Sequence, residues 1–443
     1  MQHCDTLIVP RWCVPVAPAG EVLEGHAVAI TDGRIVAVLP VDRAKADFQP
    51  SVLVERPDHA LIPGLINAHT HAAMTLFRGL ADDMPLEAWL HEGIWPAERR
   101  WVSAEMVRDG TELAIAEMIR GGITCFSDQY FYPEIVAEAA VDLSMRAVVA
   151  TPVVDFRTGW AENADEYLQK AADLVHDPYT DHPLVTTAFA PHSTFALADD
   201  SFAALRVLAD QLDVRVQIHL HETAAEVEIS LRETGKRPYE RLLDAGLVNR
   251  SLLAVHAVHM NDEEVARFAE AGVSVAHCPN SNLKLGSGIA PIEKYRNAGL
   301  NVAIGTDGAA SNNMLDMFSE MRTAALLAKG IANNASAVTA GDALHMATLG
   351  GARALGIERV TGSIDTGKWA DLTCVNLGTL NSQPVYDVVS QLVYASRSDQ
   401  VADVWIAGRR QLENGQFVHI DTDALIARSN EWRDRMATVG EVQ

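Results

Sequence analysis

The stretch LLAVHAVHMNDEEVARFAEAGVSVAH, residues 252–277, reads as strand, helix and strand. Two short apolar runs enclose a longer amphipathic segment that opens after Asn261, a good helix-capping residue, and each run ends on a histidine, His256 and His277. The same alternation extends outward from about Leu61 to Asp307 and contains eight β-rich runs. They are LIPGLINAH ending near His69, ITCFSD at Asp128, RAVVATPVV near Val154, LVTTAFAPH at His192, VRVQIHLH through His221, LLAVH, VSVAH, and VAIGTD at Asp307. Eight parallel strands with helices between them predict an α/β fold, a (β/α)8 TIM-type barrel.

Helices are expected where spacing and caps agree. Ser103 precedes AEMVRDGTELAIAEMIR, whose apolar positions keep a period near 3.6 until Gly121-Gly122 stops it, and similar stretches follow Asp199, Asn261 and Pro291. Two further helices, about 313–329 and 338–355, extend beyond the minimal barrel. The ends of the chain differ in style. Residues 5–58 read as short strands and turns, with DGRIVAV a strand after an Asp-Gly turn, and residues 360–420 resume that style with GKWADLTCVNL, VVSQLVYAS and VADVWIAGRRQLENGQF. The expected organisation is therefore a small composite β-sandwich domain built from both ends, residues 1–60 and 361–443, beside a barrel over residues 61–360.

The chain has 443 residues, with 35 basic against 59 acidic residues and a net charge of −24. Such a surface repels phosphate backbones and anionic lipid, which argues against nucleic-acid and membrane partners. No run approaches the roughly 20 apolar residues of a membrane span, and the start MQHCDTLIVPRW lacks the pattern of a secretory signal. Five scattered cysteines without a CxxC pair suggest reduced thiols and a cytoplasmic protein rather than a disulfide framework. The outer helices of a barrel leave a homo-oligomer open.

On such a barrel the carboxyl ends of the strands converge on one functional face. His69 and His71 follow the first strand, His192 the fourth, His219 and Glu222 the fifth, His256 the sixth, His277 the seventh and Asp307 the eighth. Singly these are ambiguous. An HxH pair also serves as two polar residues at a strand end, His219 also reads as a satisfied half-buried histidine, and Asp307 before Gly308 also reads as a turn cap. Together, three imidazoles and a carboxylate suit zinc or another borderline divalent ion, with an open position for a water whose pKa the metal lowers. Glu222 then reads as the general acid and base, the alternative being a favourable charge at a helix N-terminus, and His256 as the group that orients or deprotonates the water. His221 alternates away from His219 and is assigned to the barrel wall.

At these residues the sequence closely resembles the amidohydrolase superfamily, in particular its metal-dependent deaminases of 5′-methylthioadenosine and S-adenosylhomocysteine. The resemblance lies in PGLINAHTHAAMTLFRGLADDMPLEAWL, APHSTFAL, IHLHET, AVHAVHM, HCPNSNLKLGSGIAPI and GTDGAASNN, and the flanking ends resemble the family's composite β domain. It implies that His69, His71, His219 and Asp307 hold the metal, that Asp307 takes a proton from the water, that Glu222 protonates the purine nitrogen beside the attacked carbon, and that His256 helps place the nucleophile. It further implies that Glu98 bonds the ribose hydroxyls, His192 contacts the nucleoside and Ser311 lies near the purine. The plain alternatives are a helix-surface carboxylate for Glu98 and loop-bonded structural histidines for His192 and His277.

One departure bears on the substrate. Relatives that accept S-adenosylhomocysteine are expected to carry an arginine near the end of the third strand to pair with its carboxylate, and Thr151 stands there instead. A carboxylate left unpaired in a pocket is costly. Arg157 and Trp160 follow, the first able to reach a carboxylate and the second to wall an apolar thiomethyl group. The expected activity is thus hydrolytic deamination of a 5′-modified adenosine to the inosine analogue and ammonia, with 5′-methylthioadenosine favoured over S-adenosylhomocysteine and adenosine. The resemblance implies one metal per subunit, since two-metal members of the superfamily commonly use a modified lysine after the fourth strand and LVTTAFAPHSTF has none. The alternatives are a same-barrel hydrolase of guanine, cytosine or a triazine, and a non-catalytic barrel scaffold.

Overall fold

The structure, a computed structural model, describes residues 1–437. Eight strands follow one another in chain order around one sheet: Leu65–Thr70, Ile123–Asp128, Arg146–Val153, Val185–Pro191, Arg215–Leu220, Leu252–His256, Ser274–His277 and Asn301–Ile304. The ladders are parallel, and the second and third strands are buried at every residue, as in a sheet covered on both faces. The sheet nearly closes where the Asp307 N–H donates to the His69 carbonyl at 3.0 Å and Thr70 Oγ1 donates to the Asp307 carbonyl at 2.8 Å. A Cβ at Gly305 would stand 2.9 Å from both His69 N and O, so the seam requires glycine. The result is a nearly closed (β/α)8 barrel.

The expected caps are in place. Ser103 Oγ accepts the Met106 N–H at 3.2 Å ahead of the helix Ala104–Arg120, and Asn261 forms a capping box with Glu264 on Asp262–Ala271. The expected helix over 313–329 begins later, at Met317, where Asp316 accepts the Phe318 N–H at 2.9 Å, and runs to Ala332. The expected helix over 338–355 is two, Ala340–Met346 and Leu349–Leu355. The break has a cause: the Ala347 carbonyl accepts the Ile66 N–H at 2.8 Å, and Gly351 lies so close that a Cβ there would be 3.0 Å from Ile66 Cβ.

The two ends do join in one nine-stranded sheet. Phe48–Pro63 pairs parallel with Gln2–Cys13 and antiparallel with Leu372–Asn376, which stitches the beginning of the chain to its end. Ile8, Val28, Ile30, Ile35 and Val54 share a core with Leu372, Cys374 and Trp405. The Asp32-Gly33 turn, with φ of 49° and 74°, makes the expected hairpin between His26–Thr31 and Arg34–Pro40.

Three expectations for the ends need correction. The strands are not all short, since Gln2–Cys13 has 12 residues and Phe48–Pro63 has 16, with a register shift between Pro10 and Trp12. LIPGLINAH is therefore two strands, its first residues ending Phe48–Pro63. VVSQLVYAS is helical, because Asp387 Oδ1 accepts the Ser390 N–H at 2.9 Å and Val388, Leu392 and Val393 are buried at helical spacing.

The helix Thr422–Ala437, placed by the sequence with the end domain, bonds a helix of the barrel. Arg428 Nη1 and Trp432 Nε1 donate to the two carboxylate oxygens of Asp109, each at 2.8 Å. Residues 438–443 of that expected domain lie outside the described residues. Two compact units divide the chain: Met1–Ala68, Met118–Cys125 and Asp316–His419 form one, and His69–Glu117, Phe126–Leu315 and the residues from Ile420 on form the other. All five cysteines are buried and none is in a disulfide among the described residues. Among the described residues no helix is long and apolar enough to cross a membrane.

Candidate active site

The strand ends bring the expected residues to one point within the second unit. His69 and His71 leave the first strand on the same side because alternate residues share a face. His219 comes from the fifth strand, His256 from the end of the sixth and Asp307 from just past the eighth. His221, His256 and Asp307 have φ of 53°, 67° and 61°, a left-handed backbone that non-glycine residues rarely adopt and that costs about 1–3 kcal/mol each. Strain repeated at three strand ends aims these side chains.

His219 Nε2 lies 3.2 Å from His69 Nε2, and Asp307 Oδ1 lies 3.2 Å from His71 Nε2 and 3.5 Å from His69 Nε2. One atom each from His69, His219, His256 and Asp307 falls within 4.8 Å of the others. His256 is in this group and the expected ligand His71 is not, although His71 Nε2 reaches Asp307 Oδ1.

The donor chemistry tests whether a cation fits. His71 Nδ1 meets the Gln129 carbonyl at 2.6 Å and His219 Nδ1 meets the His192 carbonyl at 2.7 Å. A carbonyl only accepts, so both Nδ1 atoms carry hydrogen, and each ring, when neutral, turns an Nε2 lone pair inward. Asp307 Oδ2 accepts from Ser281 Oγ at 2.6 Å and Ser311 Oγ at 2.7 Å, whereas Oδ1 has no hydrogen-bond partner. Lone pairs from imidazoles and a bare carboxylate oxygen therefore face one another in a buried space. With the rings neutral this arrangement repels itself unless a positive charge lies between them, and the set fits a divalent ion of borderline softness.

Around this cluster, Glu222 Oε1 accepts from Ser287 Oγ at 3.2 Å and Oε2 lies 3.7 Å from His256 Nε2. Burial pushes the Glu222 carboxyl above its usual range, opposed by His256. His256 Nδ1 bonds Asn282 Oδ1 at 2.8 Å. The His192 ring lies 4.9 Å from that of His219, and burial takes its imidazole down to about 4. Glu98 is half-buried and accepts from Tyr130 Oη at 2.8 Å, and burial pushes its carboxyl up to about 7. It stands part-exposed on the helix Trp95–Trp101.

Most of the remaining expected positions have partners of their own. Ser311 bonds Asp307. His277 is buried, with Nδ1 unpartnered and not bonded to its loop. His221 is enclosed in the wall as expected, its Nε2 accepting the Tyr239 N–H at 3.1 Å. Trp160 is buried and donates Nε1 to both oxygens of Glu134 at 3.1 Å, while the Arg157 side chain is 77% exposed and pairs with Glu162 at 3.1 Å. Thr151 is buried.

Sequence reasoning missed Ser281, Asn282, Ser287 and Tyr130. The first three lie in HCPNSNLKLGS, where a run of small polar residues just past a strand end was the available signal. Tyr130 follows Asp128 at another strand end, where it could have been counted as the histidines were.

A barrel with a buried imidazole and carboxylate cluster at the carboxyl ends of its strands defines the metal-dependent barrel hydrolases. More narrowly, residues 60–411 match the amidohydrolase family, and the chain belongs to that family. It is 44% identical over 98% of its length, and 98% of the relative's, to a protein of Teredinibacter turnerae named 5-methylthioadenosine/S-adenosylhomocysteine deaminase. Among solved structures, an adenosine deaminase from Xanthomonas campestris with bound zinc is 52% identical, covers 99% of each chain and superposes with a TM-score of 0.97. Atrazine chlorohydrolase from Arthrobacter aurescens complexed with zinc is 26% identical, covers 96% of this chain and 99% of its own, and has a TM-score of 0.90.

Proposed function

We propose that this chain hydrolytically deaminates 5′-modified adenosines, with 5′-methylthioadenosine the preferred substrate. The observation that carries the reading is the buried convergence of His69, His71, His219 and Asp307 with Glu222 and His256 beside it. The named relatives support it.

His69, His71, His219 and Asp307 would hold one divalent ion, zinc as in the solved relatives. When bound, the ion supplies the Lewis acidity that makes a water nucleophilic near neutral pH. Water adds to C6 of the purine and the 6-amino group leaves as ammonia. Asp307 Oδ1, the oxygen without a partner, takes the proton of the attacking water and gives it to the departing 6-amino group, while the C6 hydroxyl returns a proton to Glu222. Glu222, held protonated more readily by burial, gives a proton to the ring nitrogen beside C6. His256, its Nδ1 tied to Asn282, presents Nε2 to orient that water. Glu98 receives the ribose hydroxyls, His192 contacts the nucleoside, and Ser311 lies by the purine while steadying Asp307.

The 5′ group is set by Thr151, Arg157 and Trp160. Trp160 walls an apolar thiomethyl group. Arg157 would reach a substrate carboxylate only by leaving solvent and Glu162, so an uncharged substituent is preferred. Five cysteines outside any disulfide fit a reducing cytoplasm.

The test is turnover of 5′-methylthioadenosine, adenosine and S-adenosylhomocysteine by zinc-loaded protein, followed by ammonia release and product mass. Conversion ranked in favour of 5′-methylthioadenosine is expected. No conversion of any of the three, with turnover of a halo- or amino-triazine instead, overturns the reading. Elemental analysis is expected to give one metal per chain, and two would overturn that part.

A further inference from the structure

Glu226 is a carboxylate that the reading above leaves without a task. It stands in the first turn of the helix Ala224–Thr234, which Thr223 caps by accepting the Glu226 N–H on Oγ1 at 3.1 Å. In an ordinary capping box the glutamate three residues past the cap bonds the N–H of the capping residue itself. Here Glu226 Oε2 reaches one residue further and accepts the N–H of Glu222 at 2.8 Å. The main-chain groups of His221 and Thr223 face the same carboxylate. Its other oxygen, Oε1, is buried without a hydrogen-bond partner. Burial and the neighbouring Glu222 push its carboxyl up to about 8 against those main-chain donors.

The hold on Glu222 is otherwise sparse. Its carboxylate has Ser287 Oγ at 3.2 Å and His256 Nε2 at 3.7 Å. Its main chain, by contrast, is anchored on both sides. The preceding His221, at φ 53°, accepts the His259 N–H on its carbonyl at 3.0 Å, and its ring is held by the Tyr239 N–H on Nε2 at 3.1 Å. The N–H of Glu222 itself is held by Glu226. The direction in which the carboxyl points is therefore set more by its backbone than by its own bonds.

We propose that Glu226 is a positioning residue for the reaction: by holding the Glu222 N–H it fixes the backbone on which the proton donor is mounted. The inference rests on the role given to Glu222 under the deaminase reading. Glutamine in place of Glu226 can accept the same N–H, alanine cannot, and aspartate is one methylene too short.

The experiment compares E226A, E226Q, E226D and T223A in the zinc-loaded, full-length protein. In E226A, kcat for 5′-methylthioadenosine is expected to fall about 10- to 100-fold with KM within about threefold and metal content unchanged, and E226Q is expected to recover most of that loss. T223A removes the helix cap and lowers the unfolding temperature while leaving kcat in place, so it separates a general helix defect from misplacement of Glu222. Hydrogen exchange at the Glu222 amide, read by mass spectrometry, is expected to accelerate in E226A and E226D but not in E226Q or T223A. Should E226A fail to fold, E226D carries the comparison. Wild-type kcat and exchange in E226A or E226D would overturn the proposal, as would a T223A loss of kcat equal to theirs. Absence of turnover by the wild type would sink the deaminase reading instead, and the exchange data would still decide the positioning.

Discussion

Asp403, on the strand Val401–Ile406 of the end sheet, and Asp307, at the barrel mouth, are both buried carboxylates, and their surroundings differ in kind. Asp403 accepts from Arg56 Nε at 2.6 Å and Nη2 at 2.9 Å, from Arg410 Nη2 at 2.5 Å and from the Asn414 N–H at 3.2 Å. Asp307 has two serine hydroxyls on one oxygen and leaves the other facing imidazole nitrogens. Burying an ion without compensation is costly, so the first carboxylate is compensated from within the chain and the second is shaped to be completed from outside it.

That contrast breaks most easily at Asp307. Asp307→Asn is expected to lower turnover by about 10⁴-fold and to abolish metal binding, while thermal unfolding is unchanged or moves to higher temperature because the crowded lone pairs are relieved. Retained metal by elemental analysis would show that Asp307 is as self-sufficient as Asp403. Glu222→Gln is expected to cost about 10³-fold in kcat with full metal content, which separates proton transfer from assembly of the cluster.

Asp403→Ala is expected to do the reverse. Leaving Arg56 and Arg410 unpaired should cost about 3–5 kcal/mol of stability in urea unfolding, with turnover per folded molecule intact. The sign with pH follows. Burial raises the Asp403 carboxyl, but the bonds from Arg56 and Arg410 outweigh it and hold the group below its usual 3.8. Its stabilisation is thus complete above 3.8 and lost as pH falls through the lower folded value, a loss that Asp403→Ala should not show.

The smallest effect concerns Glu98. Burial raises its carboxyl to about 7, and the bond from Tyr130 works against that rise. If the ionised form binds the ribose, kcat/KM declines as pH falls through about 7. Tyr130→Phe should move that decline to higher pH and Glu98→Gln should abolish it.

Much of the fold was legible because periodicity reports which faces are buried. All eight barrel strands end within a few residues of the expected places, and Ser103, Asn261 and Asp32-Gly33 act as their residue types predict. The failures share a cause. VVSQLVYAS is as apolar as a strand, and only the Asp387 cap and the burial of Val388 with Leu392 make it helical. The helix over 338–355 breaks because Ala347 gives its carbonyl to Ile66, a partner far off in sequence.

The site divides in the same way. His69, His71, His219, Glu222, His256 and Asp307 were legible because strand ends of a barrel share one rim. Ser281, Ser287 and Glu226 were not, since a serine or a helical glutamate has many ordinary uses and its partner lies outside its own motif. Arg157 was visible as a charge, but its exposure and its pairing with Glu162 were not.

The chain's own order of residues determined the kind of chemistry available: imidazoles and carboxylates at the carboxyl ends of parallel strands, because strand period and barrel topology follow from local pattern. Only the tertiary structure decided which atoms meet. His219 and His69 lie 150 positions apart, and their nitrogens stand 3.2 Å from each other because the barrel closes. Which nitrogen of His71 and of His219 faces inward is set by the carbonyls of Gln129 and His192, and such distant hydrogen-bond partners exist only once the strands are in register.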